Sequence, residues 1–263
     1  MNPPEPAVLD HLADAGWPAL ERERLDGWAL RAAAGVTSRA NSVLTAGAVA
    51  DLSSAVGTAE RWYATRGLPP VLQVSPASPE GLAAELQRLG YREHSRTDVL
   101  VADRSDVASG TDIASGTDIA SRIEDRADER GVTIADAPSE GWLRTWWSVD
   151  GRGGEAELAV AARILTGGRA LYACHGDPAD PDAVARLALV GEWGGLYAVA
   201  TRPEARRRGR ARALAVALAG AAGAHGVSDL WLQVLSDNTA AHRLYGSLGF
   251  RHASGYAYWS RDR

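Results

Sequence analysis

The sequence predicts an α/β chain of two mixed-sheet domains in tandem, the second a better-equipped copy of the first. Three observations predict it. Leu72-Gln73-Val74 returns as Leu232-Gln233-Val234, 160 positions later. Leu89-Gly90-Tyr91-Arg92 returns as Leu248-Gly249-Phe250-Arg251, and Ser95 as Ser254, each 159 positions later, so a single one-residue gap relates the segments. Both segments also read alike: a short apolar strand, a polar turn, an amphipathic helix ending in Leu-Gly-aromatic, then a strand. Gly90 and Gly249 are suited to a left-handed helix stop.

In chain order, the first copy offers a strand at 41–46, a helix at 58–66, a strand at 71–74, the helix before Gly90 and a strand at 97–102. The second offers a strand at 196–200, an alanine-rich helix at 210–223, a strand at 230–234, the helix before Gly249 and a strand at 256–260. Leu44 and Gln73 lie 29 positions apart, Val199 and Gln233 34. The extra residues fall at 201–211, so the copies differ by one loop. Between the copies, Ser109-Gly110-Thr111-Asp112-Ile113-Ala114 repeats at once as residues 115–120. Such a Gly/Ser/Thr/Asp repeat buries too little apolar surface to order itself. The expected division is therefore 1–102, a domain without the extra loop; 103–131, a flexible linker; and 132–263, a domain with it.

Composition narrows the function. The chain has 263 residues, 46% of them hydrophobic, enough for a substantial core. No apolar run reaches the roughly 18 residues of a membrane span, and the N-terminus has no secretory pattern. The single cysteine, Cys174, excludes an internal disulfide and a Cys-based zinc cluster, and fits a reducing cytoplasm. No metal site is expected. Net charge −5 argues against a general nucleic-acid binder. All 28 basic residues are Arg, so catalytic lysine and pyridoxal phosphate linkage are excluded.

Against that background, residues 202–212 carry six Arg and one Glu. Arg206-Arg207-Arg208-Gly209-Arg210-Ala211 lies between a strand and a helix, where converging amides and the helix dipole favour anions. A phosphate-bearing cofactor, an acidic partner and nucleic acid all fit a basic loop, as does mere solvation. Placement between strand and helix favours the cofactor. The loop is neither Gly-x-Gly-x-x-Gly nor a P-loop, so a dinucleotide or nucleoside triphosphate is not supported.

Arg206, Gly209 and Ala211 match the Arg/Gln-x-x-Gly-x-Gly/Ala signature of the GNAT superfamily of acyl-CoA-dependent N-acyltransferases. Asn238, Ala241, Tyr245, Gly249 and Phe250 match a second pattern that often follows it. The chain resembles a tandem GNAT protein of the actinobacterial kind with a degenerate first half, the likeness covering residues 135–262 and, more faintly, 26–103. The resemblance implies an acetyltransferase that uses acetyl-CoA as co-substrate and transfers directly to an amine in a ternary complex. Backbone groups of Val199, Ala200 and Thr201 would pair with pantetheine. Amides from Arg207, Arg208, Gly209, Arg210, Ala211 and Arg212 would hold the pyrophosphate, with Arg side chains near the 3′-phosphate. Asn238 would contact the pantetheine arm, the amide near Val199 would face the oxyanion, Tyr245 would be the acid, and Glu192 or water the base. The acceptor stays open among amino acids (glutamate first), small amines, antibiotics and protein N-termini. The rival class is a non-catalytic acetyl-CoA sensor or protein-interaction module.

Other residues read as structural. Cys174 and His175 are strand neighbours pointing to opposite faces, a poor dyad, so Cys174 belongs to the core. Trp142 and Trp146 share a helical face and belong to the core too, whereas Trp147, Arg152, Trp28, Arg31, Arg39 and Trp62 stay undecided. His242 shares a face with Tyr245 but reads as a surface histidine. The resemblance implies that acceptor recognition comes from residues 141–165, with the first half scaffolding the sheet and walling the acceptor site.

Overall fold

The computed structural model describes residues 3–110, 131–151 and 153–261 and joins eleven strands into one sheet. The strands are β1 (Glu21–Leu25), β2 (Trp28–Ala32), β3 (Val43–Leu44), β4 (Leu72–Val74), β5 (Arg92–Asp103), β6 (Val132–Ala135), β7 (Ala170–His175), β8 (Ala183–Val190), β9 (Trp193–Thr201), β10 (Asp229–Leu235) and β11 (Arg251–Ser260). The helices are α1 (Pro6–Gly16), α2 (Leu52–Ala64), α3 (Leu82–Arg88), α4 (Arg104–Ser109), α5 (Glu140–Asp150), α6 (Glu155–Leu165), α7 (Arg210–Ala222) and α8 (Thr239–Ser247). No described helix is long and apolar enough to cross a membrane.

Side chains set several helix starts. Asp51 accepts the Ser54 amide (2.8 Å) and begins α2, six residues before the position read from the sequence. Asp103, Ser139 and Asn238 cap α4, α5 and α8 in the same way.

The sheet runs β1-β2-β3-β4-β11-β5-β10-β9-β8-β7-β6. One pattern occurs twice: β2 and β3 antiparallel, β3 and β4 parallel, β4 antiparallel to β11; then β8 and β9 antiparallel, β9 and β10 parallel, β10 antiparallel to β5. β5 and β11 lie side by side between these groups. The last strand of residues 1–102 is thus inserted between two strands of residues 132–263.

Alternation along the strands divides the core between two faces. Tyr172, Cys174, Val184, Tyr197 and Trp231 pack under α1, α5 and α6, whereas Leu171, Ala173, Ala185, Leu196 and Leu232 pack under α7 and α8. A third cluster lies under α2 and α3 and includes Trp28, Leu30, Leu72 and, from the far end of the chain, Trp259.

The linker expected at 103–131 is corrected at its N-terminal end. Residues 104–109 form α4, with Val107 fully buried. Arg104 donates from its side chain to the Val227 and Ala219 carbonyls (2.8 and 3.2 Å) and from its amide to the Ser228 carbonyl (2.9 Å). Burying one apolar side chain and satisfying one helix-end carbonyl and two loop carbonyls is enough to order a short helix that composition alone reads as linker. Most of the repeat, 111–120, and Arg152 lie outside the described residues.

Candidate functional site

β9 and β10 begin as a parallel pair at Trp193 and Asp229, and the pairing ends at Leu196 and Leu232. β9 then runs on to Thr201 with β8 as its neighbour. Opposite Val184 and Arg186 it has Ala200 and Tyr197, three steps against two, so it carries one extra residue. That residue is at Ala198, whose φ is 51°. A β-bulge with a non-glycine residue in the left-handed region costs on the order of 1 kcal/mol. It turns the strand where its other edge loses a partner. The backbone of Val199, Ala200 and Thr201 lies in this stretch, paired with β8 on one edge and without β10 on the other.

The chain then turns toward α7. Arg202 is fixed by an ion pair with Asp180 and a bond to Thr145 Oγ1 (3.1 Å), and Ala205 is buried in the turn. Arg207 (φ 58°) and Gly209 (φ 73°) are both left-handed, with α7 beginning directly after. Such turns aim successive amides inward, and the first amides of a helix have no carbonyl within it to bond. Together they make a turn of the kind that suits an anion.

The arginine side chains divide by role. Arg206, Arg207 and Arg208 are exposed, Arg206 also donating to the Thr201 carbonyl (3.2 Å). Arg210 turns inward to within 2.8 Å of His175 Nε2. Arg212 donates to Ser247 Oγ (3.0 Å) and the Gly110 carbonyl (2.7 Å), tying α7 to α8 and to the end of α4. The guanidinium groups of Arg210 and Arg212 thus serve the scaffold, while their amides stay at the helix start with that of Ala211.

Asn238 is exposed and uses its side-chain oxygen to accept the Ala241 amide (3.1 Å). Tyr245 is buried on α8, edge-on to Phe250 at 5.7 Å, and burial pushes its hydroxyl up to about 12. Glu192 does not join them. It is exposed in the β8–β9 turn, and its carbonyl accepts the Ser228 amide (2.9 Å). Six residues of strand at about 3.3 Å each put it roughly 20 Å from the bulge at Ala198. Glu192, the expected base, therefore stands at the opposite end of β9 from the bulge and the arginine-rich turn, a separation that strand length could have shown.

His242 lies 3.3 Å from Asp98. Cys174 is a buried core thiol whose pKa is raised by burial and by Asp177, and His175 next to it turns to Arg210 instead. Trp142 and Trp146 are core residues, each 2% exposed. Sequence reasoning left Arg39 undecided and gave no role to Tyr197, Gln233, Tyr256 or Tyr258. Arg39 sits in the turn Ser38–Ala40 and donates from Nε to Gln233 Oε1 (2.7 Å), one residue past the last β9–β10 pair.

The family described as "Probable histone acetyltransferase Rv0428c C-terminal" matches residues 7–259. Among similar proteins, the Probable histone acetyltransferase Rv0428c of Mycobacterium tuberculosis is 32% identical over 253 residues, covering 93% of this chain and 70% of its own length. The uncharacterized N-acetyltransferase YobR of Bacillus subtilis is 27% identical over 252 residues, covering 95% and 96%. A GCN5-related N-acetyltransferase structure from Kribbella flavida superposes with a TM-score of 0.64 at 16% identity, covering 97% and 96%. A tandem GNAT protein from the clavulanic acid biosynthesis pathway gives 0.61 at 14%, covering 98% and 89%, and these two structures share the fold. With a family match along nearly its whole length and this mixed α/β sheet, the chain belongs to the GNAT family of N-acetyltransferases.

Proposed function

We propose that the chain binds acetyl-CoA across the gap between β9 and β10 and transfers its acetyl group directly to an amine. The observation that carries this is the parting of β9 from β10 after Leu196 and Leu232, immediately before an arginine-rich turn and a helix start. Acetyl-CoA supplies an activated thioester. The residues present suit it: the backbone of Val199, Ala200 and Thr201 offers an open edge to an extended pantetheine arm. The amides from Arg207 to Arg212 offer donors to a pyrophosphate, and the exposed Arg206, Arg207 and Arg208 offer charge to the 3′-phosphate. Asn238, at the head of α8, keeps its amide nitrogen for the same arm.

In this reading the amide at Val199 stabilises the oxyanion that develops on the carbonyl. Tyr245 keeps its proton through the neutral range and donates a hydrogen bond to the leaving thiolate. A hydroxyl near 12 is a much weaker acid than a thiol near 8.5, so Tyr245 supports the thiolate without giving up its proton. With Glu192 remote, water receives the acceptor's proton. The repeated pairing pattern supports the idea that residues 1–102 descend from the same unit and have lost the arginine turn. We place the protein in the cytoplasm.

The test is thiol release from acetyl-CoA against a panel of amino acids, small amines and peptide N-termini, with glutamate first. Acceptor-dependent release supports the proposal. Tight acetyl-CoA binding with no release across the panel would favour a sensor over an enzyme, and absence of binding would refute both.

A further inference from the structure

Among the described residues, the arginine at the parting of the strands has no carboxylate partner. Gln73 and Gln233 occupy the same place in the repeated Leu-Gln-Val, and each accepts a hydrogen bond from an arginine: Arg31 Nη2 at 2.9 Å and Arg39 Nε at 2.7 Å. Arg31 is fully enclosed and also has Asp14 Oδ1 at 3.1 Å and Ser42. Arg39 is partly exposed, and among the described residues it pairs with no carboxylate. Its charged or titratable neighbours are the tyrosines Tyr197, Tyr256 and Tyr258. Tyr256 interacts with both the Arg39 guanidinium and the Tyr258 hydroxyl, and Tyr258, 5% exposed, has no full hydrogen bond at its hydroxyl. A guanidinium without a carboxylate, beside buried phenol hydroxyls, offers the kind of donors that an anion takes.

The site is also held rigid. Asn41 clamps the loop before Arg39, accepting the amides of Ala33 and Gly35 (2.8 Å each) and donating to the carbonyls of Val36 and Thr37 (2.6 and 2.8 Å). Thr37 is held at φ 62°, a conformation a β-branched residue rarely adopts. Gln233 lies opposite Val99, on the face away from α7, so Arg39 reaches the gap from the side opposite the arginine-rich turn.

We propose that Arg39, oriented by Gln233 and joined by the Tyr258 hydroxyl, receives a carboxylate of the acceptor, so that the amine acetylated belongs to a carboxylate-bearing molecule such as an amino acid. This rests on the acetyl-transfer reading for its reaction but not for its binding step. Residues 1–102 then supply the specificity group, and residues 132–263 the acetyl donor.

The experiment titrates the twenty amino acids and their α-carboxamides into the parent chain by calorimetry, with coenzyme A present and absent. Arg39→Gln, Arg39→Lys and Tyr258→Phe follow. The expected result is at least one amino acid bound on the order of 100-fold more tightly than its carboxamide. Arg39→Gln should erase that preference, Arg39→Lys should keep part of it, and Tyr258→Phe should weaken the acid several-fold without lowering the melting temperature. If Arg39→Gln fails to fold, the other two variants decide. Equal binding of acid and amide, a preference that survives Arg39→Gln, or no bound amino acid in a parent that binds acetyl-CoA would each overturn the proposal. Failure of the parent to bind acetyl-CoA would refute the acetyl-transfer reading alone, because the titrations without coenzyme A still decide Arg39.

Discussion

Replacing Gly209 by Glu tests the proposed anion-binding turn directly. Gly209 precedes α7 with φ 73°, so any side chain there pays about 1 kcal/mol for the left-handed backbone. A carboxylate about 5 Å from a phosphate charge adds roughly 3 kcal/mol of repulsion per unit charge at an effective dielectric near 20. Even if salt screens half of this, the two charges of a pyrophosphate leave roughly 3 kcal/mol, so acetyl-CoA affinity should fall by more than ~100-fold. The fold should survive, because an acidic residue at a helix start is favourable by a few tenths of a kcal/mol and offsets part of the backbone cost. Gly209→Ala separates the two effects: it carries the strain without the charge, so stability should fall by about 1 kcal/mol and affinity by less than ~10-fold. Calorimetric titration of acetyl-CoA, with thermal unfolding of each variant, reads both. If Gly209→Glu binds acetyl-CoA within about threefold of the parent, the pyrophosphate is held elsewhere and the placement of the co-substrate falls.

Three further outcomes are expected. Tyr245→Phe should lower kcat by about tenfold and leave acetyl-CoA affinity unchanged, since one hydrogen bond to the thiolate is lost; an unchanged kcat would make Tyr245 a core residue and nothing more. Asp10 bonds Ser75 and Gln73, and burial raises its carboxyl above the usual range. The folded state therefore holds this proton more tightly than the unfolded state, and stability falls as pH rises through the folded pKa. Asp10→Asn should accordingly be more stable than the parent at pH 7 by urea unfolding, and the gain should shrink toward pH 4; a gain that grows in acid would reverse the sign. Excising residues 109–114 should leave melting temperature and transfer rate near the parent's, because residues 115–120 repeat them and restore the Ser-Gly that meets Arg212. A collapse of folding would show that loop length matters.

Much of this was legible in the sequence for local reasons. The strand at 72–74, the start of α7 at Arg210 and the core placement of Trp142 and Cys174 follow from short-range pattern, since burial and periodicity are written residue by residue. What failed is what periodicity does not encode. The six-arginine run looked uniform, but α7 begins inside it, and the turn of the helix sends Arg210 toward β7 and Arg212 toward α8. Glu192 precedes β9 closely in sequence, yet a nine-residue strand carries the chain away from it. The cap at Asp51 starts α2 earlier than its apolar pattern alone suggests.

The partner of a final strand is equally silent in local sequence. Leu-Gly-aromatic announces that a strand follows α3 or α8, but the same alternation would serve beside β4 or beside β10. The chain pairs β5 with β10 and β11 with β4, and this exchange shapes the site. β10 must leave β9 to open the gap, so it needs a firm partner on its other edge. β5 provides one over seven residues, from Asp229 opposite Asp103 to Leu235 opposite Thr97. The Arg39 turn is held over that same face, with Ala33, Val36 and Ala40 packed in a core shared with Val99 and Trp231. On the proposed reading, residues 1–102 are therefore more than a scaffold. They brace β10 where it leaves β9 and, on the proposed reading, supply the cation that faces the gap, so that neither half alone would contain a complete site.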